Sequence, residues 1–371
     1  MSAQIAAATS LVALLRGEDG AIDRLNELPA SLVAETALRE GLAPLTAERL
    51  ATLGPGPAPL KAHLAGHARR DALQDLLRQP ALKSLLEQFA SAGVPALLFK
   101  GEHLAYLCYA RPDLRPRVDS DILIRPADRP RAQQVLELAG YVAAPQLHAE
   151  LISYQCAFVK QTPVGAAHVV DLHWRVCNPQ QFGGVLEVEE LMSAAMPIPA
   201  LGGEALGPGL VHALLLSLLH PVAHHSGRDR LLWDLDSALL ASRIPDGAWP
   251  EFLTLVEARG LSALCHARLV RAIELFRAPV PPFVMEALAR AGADRARTIS
   301  PRVPATQAGA VLASVRSLPK WSDRAALLRQ HLLPPRDYMR RVYAPASRSP
   351  LAVLYMQRAI LGFWKYCRRP H

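Results

Sequence analysis

The sequence predicts an α+β protein in which a small mixed sheet sits between an N-terminal and a C-terminal helical region. Three observations lead there. Leucines at i, i+3 and i+4 dominate both ends of the chain. Between about 91 and 200 short continuous apolar runs, bounded by Gly, Pro and charged residues, replace that spacing. Those runs first alternate with helical patterns and then follow one another directly, the order of a mixed sheet. The expected organisation is a helical region over 1–90, an α/β core over 91–200 and a helical domain over 201–371.

In the first region Leu11, Leu14 and Leu15 fall on one face, Leu73, Leu76 and Leu77 repeat the spacing, and Leu82, Leu85, Leu86 and Phe89 continue it. Breakers are expected at Gly54–Pro59 and at Gln79–Pro80. The run Val94–Phe99 reads as a buried strand ending at Lys100–Gly101, with a helix over Glu102–Tyr109. Ser120–Ile124 reads as a second strand closed by Arg125–Pro126, and Ala127–Ala139 as a helix stopped by Gly140. Tyr141–Val142, Ala157–Gln161 and His168–Arg175 read as further strands, with a turn at Pro163–Gly165. Pro197–Pro208 is rich in Gly and Pro and is expected as a linker. Helical spacing then returns near 209–224, 229–242, 248–259, 261–276 and 283–292, weakens over 293–320 and closes in Leu351–Tyr366.

Composition narrows the classes. With 51% apolar and 20% charged residues among 371, the chain has material for a packed core, which excludes a disordered or collagen-like chain. The formal charge is +8, but only six of the 41 basic residues are lysines. That arginine bias, with abundant Ala and Pro, matches a GC-rich genome, and no basic block of five or six residues occurs, so charge gives no strong nucleic-acid signal and suits a polyanionic small substrate as well. Five scattered cysteines without a CxxC pair argue against a disulfide framework or zinc ribbon and for thiols in a reducing cytoplasm. The N-terminal apolar stretch has no basic residue before it, unlike a signal peptide. The longest apolar run, Leu210–Leu219, is far short of the ~20 residues of a membrane span. A cytoplasmic protein without a membrane partner is expected.

One constellation carries chemistry. Asp119 and Asp121 are two residues apart at the start of a strand, so their side chains project to one face. Asp171 lies in a second strand, and if the two are adjacent three carboxylates meet at one sheet edge. Oxygen donors in that number suit Mg²⁺, and two ions can promote in-line displacement at phosphorus, with Mn²⁺ as a substitute. Lys100 and Gly101 end a strand that runs straight into a helix, whose free N–H groups suit a phosphate. Arg115 and Arg117 precede the aspartates and can neutralise phosphate charge. His173 shares the strand face of Asp171 and is a candidate for touching nucleotide or metal-bound water.

Lys100–Gly101, the run Arg115-Pro116-Arg117-Val118-Asp119-Ser120-Asp121-Ile122-Leu123-Ile124, and Asp171-Leu172-His173-Trp174 resemble the uncharacterised nucleotidyltransferase family of the DNA polymerase β-like superfamily. Leu214–Leu240 and Leu332–Tyr338 look like that family's helical C-terminal half, so the resemblance runs from about residue 80 to the C-terminus. It implies that Asp119 and Asp121 bind two Mg²⁺ ions and that Asp171 completes the catalytic metal site and helps activate the acceptor hydroxyl. Lys100 and Gly101 stand where the wider superfamily has a Gly-Ser pair over the triphosphate. Arg115 matches the family's arginine before the aspartates, and Val118 stands where a small residue such as Gly is expected.

Other candidates read more plainly. In His220, His224 and His225 a zincin's Glu is replaced by Pro221, which leaves helix-packing or acceptor-side histidines. Trp233, Asp234 and Asp236 read as packing or helix-start residues, and Phe363, Trp364 and Tyr366 as core. The expected function is a Mg²⁺-dependent nucleotidyltransferase that moves a nucleoside monophosphate from an NTP, ATP first, to a hydroxyl-type acceptor on a small molecule, peptide or protein. The alternatives are a non-catalytic nucleotide-binding or scaffold protein that retains the fold, and an enzyme modifying tRNA or another nucleic acid.

Overall fold

The computed structural model describes residues 2–53, 58–144, 151–162, 165–225, 229–294, 306–343 and 349–367. The expected breaker at Gly54–Pro59 and turn at Pro163–Gly165 fall largely outside these residues. So do the side chains of Phe363, Trp364 and Tyr366.

The N-terminal region is helical, with α1 (Ser2–Leu15), α2 (Ala21–Asn26), α3 (Ala30–Arg39), α4 (Ala43–Thr52) and the long α5 (Ala58–Ser91). Two expectations for α5 fail. Pro80 does not break it. Proline removes one helical hydrogen bond, to the carbonyl of Leu76, and both Pro80 and Leu76 lie on the solvent side where water can take that carbonyl. The leucine face is also turned the other way, because Leu73 and Leu76 are 54% and 69% exposed while Asp75 and Arg78 are buried. Those two are held inward by Arg117: its guanidinium pairs with Asp75 and its carbonyl accepts from Arg78 Nη2 at 2.9 Å.

Next come β1 (Ala96–Leu98), α6 (Lys100–Cys108), β2 (Ser120–Ile124), α7 (Arg129–Leu138), β3 (Val142–Ala143), β4 (Gln155–Gln161) and β5 (Ala167–His173). After α8 (Val188–Ser193), β6 (Ala195–Pro197) and β7 (Leu206–Pro208) form an antiparallel hairpin. The stretch expected as a linker is therefore part of the sheet: β7 pairs in parallel with β1, and Gly and Pro mark the corners of the hairpin. The seven strands lie in the order β3-β4-β5-β2-β1-β7-β6. The α+β class expected from the sequence is the class observed.

Period-two alternation divides the core between the two faces of the sheet. Ala96, Leu98, Ile122, Ile124, Val170 and Leu172 pack with Leu82, Leu85, Leu86 and Phe89 of α5 and with α7. Leu97, Phe99 and Leu123 face the opposite way, into a larger cluster shared by the N-terminal and C-terminal helices. That second face carries the acidic residues. The same cluster takes in residues of α9 (Leu210–His224), α10 (Leu231–Ala241), α11 (Trp249–Ala258), α12 (Ser262–Phe276) and α13 (Pro282–Gly292), and the chain continues in α14 (Gln307–Ser317), α15 (Trp321–Leu332), α16 (Arg336–Tyr343) and α17 (Leu351–Cys367). Cys108, Cys156, Cys177 and Cys265 are buried free thiols. No helix among the described residues is long and apolar enough to cross a membrane.

His103 on α6 is buried against Gly207 of β7, where a Cβ would overlap its ring. Burial lowers its pKa to about 4. The unfolded imidazole then binds a proton at higher pH than the folded one. Its contribution to stability is complete above about pH 6.5 and is lost as pH falls toward 4. Tm in thermal melts is expected to decline across that window, and more shallowly in His103→Leu. An equal slope in the variant would assign the acid limb to other groups.

Candidate active site

The sheet register assembles the site. β2 and β5 pair in parallel with Ser120 opposite Val170, Asp121 opposite Asp171 and Leu123 opposite His173. Opposed residues of neighbouring strands point to the same face, so Asp121 and Asp171 stand side by side and His173 follows one pleat along. His173 Nε2 lies 2.9 Å from Asp121 Oδ1 and 3.4 Å from Asp171 Oδ2. Its ring meets Phe99 edge-on at 4.9 Å, which fixes its plane. Contact with two carboxylates requires Nε2 to donate, and Nδ1 is buried without a partner. His173, a candidate for touching nucleotide, is thus engaged with the carboxylates themselves.

Lys100 joins β1 to α6 in a left-handed conformation with φ of 50°. Its Nζ reaches Asp121 Oδ1 at 2.7 Å and lies 3.3 Å from His173 Nε2. Burial alone would raise the Asp121 carboxyl, but the Lys100 ammonium and the His173 imidazole hold it well below the usual carboxylate range. Asp119 lies just ahead of β2 and lacks such a partner. Burial, with the charges of Asp121 and Asp171, pushes it up to about 6.

The two arginines have separate fates. Arg115 is buried, donating from Nε and Nη2 to the two oxygens of Asp236 on α10 at 3.0 and 2.7 Å. Tyr109 Oη adds a 2.6 Å bond to the same carboxylate. The remaining nitrogen, Nη1, lies against Gly101, where a Cβ would overlap it. This close approach is what demands glycine, rather than any backbone strain. Gly101→Ala is expected to overpack the joint and cost about 1–3 kcal/mol; an unchanged Tm would mean that Arg115 swings aside freely. Arg117 is turned below the site, pairing with Asp75 and, at 3.1 Å, with Glu102. Its side chain is only 2% exposed, so its charge is already matched by carboxylates.

Sequence reasoning missed several of these groups. Glu102 is fully buried beneath β2, accepting from Ser120 Oγ at 2.8 Å, and burial raises its pKa to about 7. Ser120 also contacts His168, which bonds Tyr141 Oη at 2.7 Å. Gln155 and Asn178, beside Asp171, went equally unnoticed, as did Arg230 on the far wall. Arg230 donates from Nε to the Arg39 carbonyl at 3.0 Å. Only Glu102 carried any signal, as an acid directly after the strand-ending Lys-Gly.

A cleft of about 550 Å³ opens over this ensemble. Lys100, Gly101, Arg115, Arg117, Asp119, Asp121 and Asp171 all border it, so the expected site residues converge, with His173 just beneath. Val118 stands 85% exposed on its rim. The opposite wall is made by His220, His224, His225, Arg230 and Trp233. His220 and His225 place their Nε2 atoms 3.0 Å apart, and His225 stacks on Trp233 at 4.3 Å. Burial and the Lys100 charge hold His220 and His224 well below the usual imidazole pKa, so the positive charge of this wall comes from Arg230. Pro221 lies within α9 without ending it. Asp234 packs, as expected, against Arg268 and Arg271.

Among the described residues one set of ligand-type side chains converges: atoms of Asp121, Asp171 and His173 lie within 4.8 Å of one another, so Asp119, expected as a ligand just ahead of β2, is outside the set and His173 is in it. Asp171 Oδ1 is buried there with no partner. Clustered carboxylates with an orphaned oxygen fit a divalent cation such as Mg²⁺ or Mn²⁺.

A family model described as uncharacterised nucleotidyltransferase matches residues 26–277. No curated protein matches the chain. The match begins earlier than the resemblance noted above, and its C-terminal limit leaves Leu332–Tyr338 outside. Its inclusion of α3 and α4 accords with their packing, since the Leu232 N–H at the start of α10 donates to the Glu40 carbonyl at 3.2 Å.

Proposed function

The chain belongs to the uncharacterised nucleotidyltransferase family, and from that premise we propose that it transfers a nucleoside monophosphate from an NTP, ATP first, to a hydroxyl-type acceptor with Mg²⁺. The observation that carries this reading is the parallel register that sets Asp121 beside Asp171 under a cleft. Asp121 and Asp171, with Asp119 just ahead of β2, are the residues that would hold the divalent ions. When bound, such ions polarise the α-phosphate and acidify the attacking hydroxyl.

The chain's own residues do the rest. Lys100, already at Asp121, supplies positive charge where the triphosphate enters, and Arg115 Nη1 beside Gly101 supplies more. His173 fixes the angle between two carboxylates through one Nε2–H. Asp171 helps draw the proton from the acceptor hydroxyl as its oxygen bonds to the α-phosphorus. The bond from that phosphorus to the leaving oxygen breaks, and pyrophosphate departs with the electron pair. The wall of His220, His224, Trp233 and Arg230 is assigned to the acceptor side.

The test is transfer of label from α-phosphate-labelled ATP, GTP, CTP and UTP, with Mg²⁺ or Mn²⁺, to a component of a cell lysate. Label on a macromolecule or small molecule is expected with wild-type protein and not without metal. Absence of both transfer and metal-dependent NTP binding would overturn the reading in favour of a scaffold.

A further inference from the structure

We propose that Asn178 and Gln155 are positioning residues that set the orientation of Asp171, a role that rests on the metal assignment above. A relay of hydrogen bonds runs from backbone to carboxylate. The Tyr154 N–H donates to Asn178 Oδ1 at 2.8 Å, and Asn178 Nδ2 donates to Gln155 Oε1 at 2.7 Å. Gln155 Nε2 then donates to Asp171 Oδ2 at 2.5 Å.

Both ends of the relay have fixed polarity. A backbone N–H only donates and an ionised carboxylate only accepts, so each amide has one orientation that satisfies both neighbours. Sheet geometry supports the same arrangement. Ala157 on β4 opposes Asp171, and Gln155, two residues away, shares its face and reaches it diagonally. The relay occupies Oδ2 and leaves Oδ1 as the oxygen of Asp171 that has no partner. A carboxylate anchored at one oxygen loses little further freedom when its other oxygen takes up a cation, which is how residues behind a ligand raise metal affinity.

Asn178→Asp probes this sharply because it preserves size and reverses one donor. The new oxygen faces Gln155 Oε1, so the Gln155 amide must turn over to bond it. Its carbonyl then opposes Asp171 Oδ2, and the carboxylate is driven from its position.

The experiment measures Mn²⁺ affinity of the full-length protein from the free-ion electron paramagnetic resonance signal. It compares wild type, Asn178→Asp, Gln155→Ala and Asp171→Asn, with metal-free Tm recorded for each. We expect Asn178→Asp and Gln155→Ala to weaken binding about 10- to 100-fold. Gln155→Ala carries the test if Asn178→Asp does not fold. Binding within twofold of wild type in the folded relay variants, with loss in Asp171→Asn, overturns the relay and leaves the metal site standing. A shift in Tm alone, with Mn²⁺ affinity unchanged, also overturns it. Wild type and Asp171→Asn binding equally would overturn the metal assignment and the relay together.

Discussion

Asp121→Asn is expected to lower nucleotidyl transfer on the order of 10³-fold, equivalent to about 4 kcal/mol of transition-state stabilisation, with the fold retained. Asp121 is the common partner of the site: its Oδ1 accepts from Lys100 at 2.7 Å and from His173 at 2.9 Å. The amide keeps the shape and one acceptor oxygen but removes the charge that draws both cations and Lys100 together. Lys100 Nζ, on a side chain only 12% exposed, then lacks a full counter-charge at Asp121. The measurement is single-turnover transfer of α-phosphate label, with Tm as the control for folding. Transfer within tenfold of wild type would remove Asp121 from the reaction and leave the register of β2 and β5 as architecture.

The two strands of that register were legible in the sequence because their signals are local, whereas their pairing was left open. Ile122-Leu123-Ile124 is an apolar run between Asp121 and Arg125, and Asp171 is flanked by Val170 and Leu172, so the strands and the shared face of Asp119 and Asp121 followed from period-two geometry. The helices from 209 to 292 were legible for the same reason. What remained hidden depends on partners distant in the chain. Nothing near Leu73 or Leu76 reveals that Asp75 and Arg78 turn inward, because Arg117 decides it from about 40 residues away. Gly101 is explained by a guanidinium pressed against it, which no motif of the strand–helix turn announces. Gly and Pro at the corners of the β6–β7 hairpin read the same as Gly and Pro in a linker, since both interrupt periodicity. Gln155 and Asn178 became visible only when the strand pairing placed them beside Asp171.

The buried pair of Arg115 and Asp236 yields the second large effect, this time on stability. Their side chains are 8% and 2% exposed, and the pair joins the loop before β2 to α10, with Tyr109 of the neighbouring loop as a third member. Burial works against the Arg115 charge, but Asp236 more than compensates and raises its pKa. Removing one partner leaves the other charged and out of water, so Asp236→Ala is expected to cost about 3–5 kcal/mol, read as a lower denaturation midpoint in urea. Removing both is different. Replacing a buried ion pair with apolar side chains of similar size is often close to neutral, so Arg115→Met/Asp236→Leu is expected to recover most of that loss. The double variant then separates the two tasks of Arg115. Its third nitrogen, beside Gly101 at the edge of the cleft, is absent from a protein that otherwise folds normally. Weak binding of labelled NTP by this stable variant would show that the guanidinium serves the nucleotide as well as the joint. Wild-type binding would restrict Arg115 to holding the helical domain onto the sheet and leave Lys100 as the principal cation facing the triphosphate.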